Sequence, residues 1–120
     1  MKWTLDKSKP LCPQICEQVC LKIALGEFTP GGKMFSVRET ALLAGVNPNT
    51  VQKAFEVLEQ DGILYSVRGS GWFVSEDIAK AKETLDNLVY EKTQAYFESL
   101  IALGMNSEQI KNYVKEWDYE

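Results

Sequence analysis

The 120-residue chain contains no histidine. That removes the side chain most used as a general base near neutral pH, and the commonest metal ligand. Cysteine is scarce: Cys12, Cys16 and Cys20 are the only three. They recur every four residues, so on a helix they would form one row about 12 Å long. A single tetrahedral metal cannot easily take all three thiolates from one straight helix. They read instead as small apolar core residues. An odd thiol count also suits a reducing compartment better than a disulfide framework. No apolar run approaches the ~18–20 residues that span a bilayer. The first ten residues, MKWTLDKSKP, lack the apolar stretch of a signal peptide. There is no phosphate-loop signature, and no pair of acids in a recognisable pocket. The expectation is therefore a cytoplasmic protein that is not an enzyme, with no cofactor and no membrane partner.

What is present points to a packed domain. Hydrophobic residues make up 45% of the chain, enough for a core and too many for wholesale disorder. The formal net charge of −4 is unevenly spread. Residues 1–75 hold 8 basic and 7 acidic side chains, leaving +1. Residues 76–120 hold 5 basic and 10 acidic, leaving −5. A binding face for a polyanion, if there is one, must be a local basic cluster in the first part.

Punctuation divides the chain. After a polar arm, the spacing of Ile15, Val19 and Ile23 predicts a helix from about Cys12 to Leu25, stopped by Gly26. GEFTPGGK is a turn. Ser36-Val37-Arg38-Glu39 has the form of a capping box, opening a helix with Val37, Ala41 and Leu42 or Ala44 facing inward. Gly45 stops it. Asn47 can cap the next helix and Pro48 can occupy its first position, where no N–H is needed. That helix runs to about Gln60, with Val51, Phe55 and Leu58 as its apolar stripe. Ile63–Val67 and Trp72–Val74, joined by Arg68-Gly69-Ser70-Gly71, read as a β-hairpin. Ser75 is expected to cap a long helix with Glu76 and Asp77 in its first turn, ended by Gly104. A last helix begins near Ser107 and carries Ile110, Val114 and Trp117. The fold class is mainly α with a small β-hairpin. Residues 1–75 form a winged helix-turn-helix domain, and residues 76–120 a short two-helix dimerisation segment.

The ordered segments ICEQVCLKIALGEFTPGGK, SVRETALLAGVNPNTVQKAFEVLEQDGIL and RGSGWFV cover most of residues 13–74. They resemble the GntR family of bacterial transcription regulators. GVNPNTVQKAF and the short C-terminal part are similar to its YtrA-like subfamily. The resemblance implies a homodimeric repressor on a double-stranded DNA operator with two related half-sites. Family members of this type often repress operons that include ABC transporters. The chain departs from the family at Met34-Phe35, where Leu-Pro is usual before SVRE. The entry to the second helix should be looser, leaving the capping box to carry more of it. In the wing, Ser70 stands where a second basic residue is common, and Trp72 where a small one is. Fewer phosphates should be engaged there.

The side of the third helix opposite its apolar stripe shows Pro48, Asn49, Gln52 and Lys53, with Thr50 beside them. Asparagine and glutamine amides can pair with adenine, and Lys53 can reach guanine or phosphate. Asn47 and Thr50 suit a phosphate oxygen. Plain capping and a solvated face remain the alternative. The resemblance makes Arg38 an operator contact, against a surface ion pair with Glu39 or Glu17. Ser36 could share a phosphate while capping. Arg68 and Gly69 form the wing tip near the minor groove, or simply a turn. Leu85, Leu88, Tyr96 and Leu100 on the long helix are candidates for a dimer interface, or for packing on the last helix. Trp72, Tyr113 and Trp117 could line a cleft for an unidentified small-molecule effector, or belong to the core. A protein-binding winged helix without DNA binding is the second functional reading.

Overall fold

The computed structural model describes residues 2–119. The elements run α1 (Leu11–Ala24), α2 (Val37–Ala44), α3 (Pro48–Gln60), β1 (Leu64–Val67), β2 (Gly71–Val74), α4 (Ala79–Ile101) and α5 (Ser107–Lys115). The chain divides into two compact units, Met1–Leu85 and Asp86–Glu120, and α4 carries the boundary.

The first unit is built around α1 and α3. Ile15, Val19, Cys20 and Ile23 from α1 meet Val51, Ala54, Phe55 and Leu58 from α3. Phe55, Val51 and Ala54 are fully buried. Ala41 from α2, Leu64 and Val74 from the hairpin, and Ala81 from α4 close the cluster. Burying a phenylalanine or leucine at such a site contributes about 1.5–3 kcal/mol, so the apolar stripe fixes the rotation of α3.

Local chemistry sets the helix ends. The Glu39 N–H donates to Ser36 Oγ, and the Ser36 N–H donates to Glu39 Oε1, both at 3.0 Å. This completes the expected capping box. Phe35, in the place of the usual proline, packs edge-on against Phe28 with centroids 6.0 Å apart. Gly45 ends α2 in the left-handed conformation, with φ 71° and ψ 40°. A side chain there would be strained, which is why a glycine serves this stop.

Two expectations need correction and one choice is decided. Of Leu42 and Ala44, Leu42 is 84% exposed and Ala44 is half-buried, while Thr40 and Ala41 are buried. The two-turn helix is docked by its Thr40–Ala41 side. Ser75 does not cap α4. Its N–H is held by Ile63 O at 3.0 Å at the end of the hairpin, and its Oγ accepts from the Asp77 N–H at 3.3 Å, ahead of the helix. Asp77 Oδ1 instead accepts from the Ala79 N–H at 2.9 Å, and the helix starts there. Trp117 lies beyond the last turn of α5, not on it.

The hairpin is antiparallel, with Leu64 opposite Val74 and Val67 opposite Gly71. Its second strand also bonds residues 31–34 on its other edge. The Met34 N–H donates to Trp72 O, and the Val74 N–H donates to Gly32 O, both at 2.8 Å. The segment after the GEFTP turn is thus tied to β2.

The arm lies on α1. The Asp6 N–H donates to Gln14 Oε1 at 2.7 Å. Lys22, only 3% exposed, donates from Nζ to Lys2 O at 2.6 Å and sits 4.9 Å from the Trp3 ring centroid. Burying a lysine is tolerable only with such partners. Cys20 is buried, and Cys12 and Cys16 are half-buried. Burial, together with neighbouring groups, pushes the Cys16 thiol up to about 12 and the Cys20 thiol to about 11. Both stay protonated and unreactive at neutral pH. Among the described residues, no group of His, Cys, Asp or Glu is arranged to hold a metal. No described helix is long and apolar enough to cross a membrane.

In the second unit, Gly104 interrupts the chain with φ 99°. Asn106 and Gln109 form a reciprocal capping box at the start of α5, at 2.8 and 2.9 Å. Ile110 is fully buried, while Tyr113, Val114 and Trp117 are exposed.

Candidate nucleic-acid interface

The first turns of α2 and α3 are held rigidly from behind. In the link between the helices, the Gly45 and Val46 N–H groups both donate to Ala41 O, at 2.8 and 3.0 Å. Asn47 Oδ1 accepts from the Asn49 N–H at 2.8 Å, and Pro48 takes the first helical position. The Asn47 oxygen is therefore committed to capping, which leaves its amide nitrogen for an outside acceptor.

With Val51, Ala54, Phe55 and Leu58 locked inward, the remaining side chains of α3 face out. Pro48, Asn49 and Lys53 are exposed; Thr50 and Gln52 are half-buried. Gln52 is not free. Its Nε2 donates to Glu56 Oε2 at 3.0 Å, one turn on. That bond presents the amide oxygen in a fixed direction, and must open if both amide groups are to meet a base.

Ser36 and Arg38 are exposed at the start of α2. Hydrogen bonds from Ser36 hold the Glu39 carboxyl below its ordinary value of 4.5. Arg38, Asn47 and Pro48 come together along a groove of about 400 Å³, completed by Leu42, Gly45 and Val46. Arg68 and Gly69 lie outside this groove, exposed at the hairpin tip. The Ser70 N–H donates to Val67 O at 2.9 Å, and Gly69 has φ 82°, so the tip is a tight turn that needs glycine.

Periodicity and capping patterns did not reveal three supporting residues. Lys7 Nζ donates to Gly45 O at 2.6 Å, so the arm reaches the link between α2 and α3. Glu59 Oε2 accepts from both the N–H and the Oγ of Ser66, at 3.0 and 2.7 Å, tying the wing to the end of α3. Leu42 lines the groove. Such pairings between distant segments leave no periodic trace. Only the leucine pair Leu42-Leu43 could have hinted at one of them.

The other candidates fall in different places. Trp72 packs on Phe55, with centroids 5.5 Å apart, and belongs to the core of the first unit. Leu85 is half-buried against that same core. In the second unit, Leu88 and Leu100 are half-buried and Tyr96 is 44% exposed. Tyr96 and Phe97 line a groove of about 530 Å³ with Lys92, Lys111, Val114 and Lys115. Tyr113 and Trp117 line a neighbouring groove of about 450 Å³ with Tyr96 and Val114.

Known proteins share this fold. The sequence profile described as bacterial regulatory proteins, gntR family, matches residues 12–74. The HTH-type transcriptional repressor YtrA of Bacillus subtilis is 36% identical over 116 residues, spanning 91% of this chain and 85% of that protein. A GntR family transcriptional regulator from Listeria monocytogenes superposes with a TM-score of 0.81 at 34% identity, over 95% of this chain and all of that one. The AraR DBD, solved in complex with operator ORR3, is 35% identical with a TM-score of 0.53, over 55% of this chain and 80% of that one.

Proposed function

The chain belongs to the GntR family of bacterial regulatory proteins, in its YtrA-like branch, and we propose that it is a homodimeric repressor that binds a two-half-site DNA operator. It is a regulator and not an enzyme. One observation carries the reading: α3 buries Val51, Ala54, Phe55 and Leu58 almost completely while turning Asn49 and Lys53 outward at its first turns.

In this reading α3 enters the major groove and its amides and Lys53 meet base edges. Ser36, Arg38, Asn47 and Thr50 contact phosphates and set the register. Arg68 and Gly69 bring the wing to the adjacent minor groove. The bound dimer then blocks polymerase. The second unit supplies the pairing surface. Leu88, Tyr96 and Leu100 lie on one side of α4 with the exposed Val89. An apolar face of that extent is a normal feature of an interface. A two-fold dimer would set the two α3 helices about 34 Å apart, one DNA turn.

The test is binding of the full chain to fluorescent duplex DNA at rising salt. Affinity is expected to fall by about tenfold or more between ~50 and ~200 mM, as counterions displaced by the basic side chains are no longer released so favourably. Absence of binding at low salt would sink the reading in favour of a protein-binding winged helix.

A further inference from the structure

The groove between α2 and α3 has a hydrocarbon wall that the contacts above leave unused. Leu42 is 84% exposed, more than any other large apolar side chain described in the first unit. It follows Arg38 by one helical turn, so the two share a face of α2. Pro48 stands across the groove, with Val46 between them in the chain. Pro48 has no N–H and only ring carbons to offer. It therefore cannot hydrogen-bond a base edge with its side chain, although it stands at the start of the helix proposed to read bases. Among the features that base pairs display in the major groove, the C5-methyl of thymine is the one an apolar surface recognises. The charges nearby are of the sign that DNA requires. Arg38 lines the groove, and the Lys7 ammonium is held at Gly45 O, 2.6 Å away.

We propose that Leu42 and Pro48 form a cleft that reads the C5-methyl of a thymine in each half-site, with Arg38 on the neighbouring phosphate. The proposal rests on the DNA-binding reading above and gives it a base preference. It also gives Pro48 a part in recognition: the ring supplies shape and hydrophobic contact where an amide would supply hydrogen bonds.

The test starts from duplexes selected by the full chain from a random-sequence pool. In the best duplex each thymine is replaced in turn by deoxyuridine, which removes only the methyl group. One replacement per half-site is expected to weaken binding about fourfold, the worth of one buried methyl-sized group. Leu42→Ala and Pro48→Ala are expected to bind the parent and the substituted duplex equally. Leu42 is exposed, so Leu42→Ala keeps the fold, which circular dichroism checks. A selected duplex indifferent to every replacement overturns the methyl cleft and leaves DNA binding intact. Undiminished sensitivity in both variants overturns it as well. A pool that yields no bound duplex at low salt overturns both readings together.

Discussion

The two units use apolar residues in opposite ways. Residues 2–85 bury most of theirs, with Leu25, Leu42 and Leu43 among the exceptions: α1 and α3 share a core in which Phe55, Ile15 and Val51 are wholly enclosed. In residues 86–119, Ile110 is the one large apolar side chain that is fully buried, while Tyr90, Leu103, Trp117 and Tyr119 are between 59% and 86% exposed. Charge divides the same way. Residues 1–85 carry 10 basic and 10 acidic side chains, and residues 86–120 carry 3 and 7. A unit that satisfies itself can present its polar residues to a ligand. A unit that leaves aromatic and aliphatic faces open gains from a second copy.

The contrast can be broken most forcefully in the core. Phe55→Ala should cost about 3–5 kcal/mol, read as a lower urea midpoint, because it empties a fully enclosed site against Trp72. A similar cost for Tyr90→Ala, at a side chain 70% exposed, would abolish the distinction. Next comes pairing. Leu88→Glu should yield a monomer by light scattering with its fold intact. Operator affinity should drop by ~10² or more as the two half-sites cease to be linked. An unchanged dimer mass would refute the interface. Smaller again is Asn49→Ala, expected to weaken specific binding by about 1–3 kcal/mol at one base step and to spare non-specific binding. Equal loss on all sequences would make Asn49 a backbone contact.

The smallest effect belongs to the cap of α2. Ser36→Ala should cost about 1 kcal/mol of stability. Glu39→Gln, which keeps an acceptor for the Ser36 N–H but cannot ionise, should flatten a pH dependence. The folded Glu39 carboxyl lies below 4.5, so its contribution is present above that value and is lost as pH falls through the lower folded one. A Glu39→Gln variant with an unchanged acid limb would show that the hydrogen bond to the Glu39 carboxylate does not matter in solution.

Much of the fold was legible because its punctuation is local. Ser36 with Glu39, Gly45, and Asn47 with Pro48 each act within a few residues, and each forms as the pattern indicates. The inward stripe of α3 was legible for the same reason: Val51, Phe55 and Leu58 fix one face. What escaped depends on segments far apart in sequence. Ser75 has a serine's capping chemistry, yet its Oγ takes the Asp77 N–H, two residues before α4, and Asp77 takes the N–H at the helix start. Leu42 and Ala44 stood as alternatives because α2 is only two turns long and the sequence does not say which side α3 covers. Lys7 reaches Gly45 across 38 residues. For the candidate site, the sequence marks which side chains turn outward. Their partners in the free protein, such as Glu56 for Gln52, emerge only with the structure.

The most direct measurement of the central claim is the form of the DNA that the full chain selects from a random pool. The expected result is two copies of one short motif, related by two-fold symmetry, with centres about 34 Å or a whole number of DNA turns apart. Enrichment of no motif, or of a single copy without its symmetric mate, would contradict a dimer that presents two α3 helices to one face of the duplex.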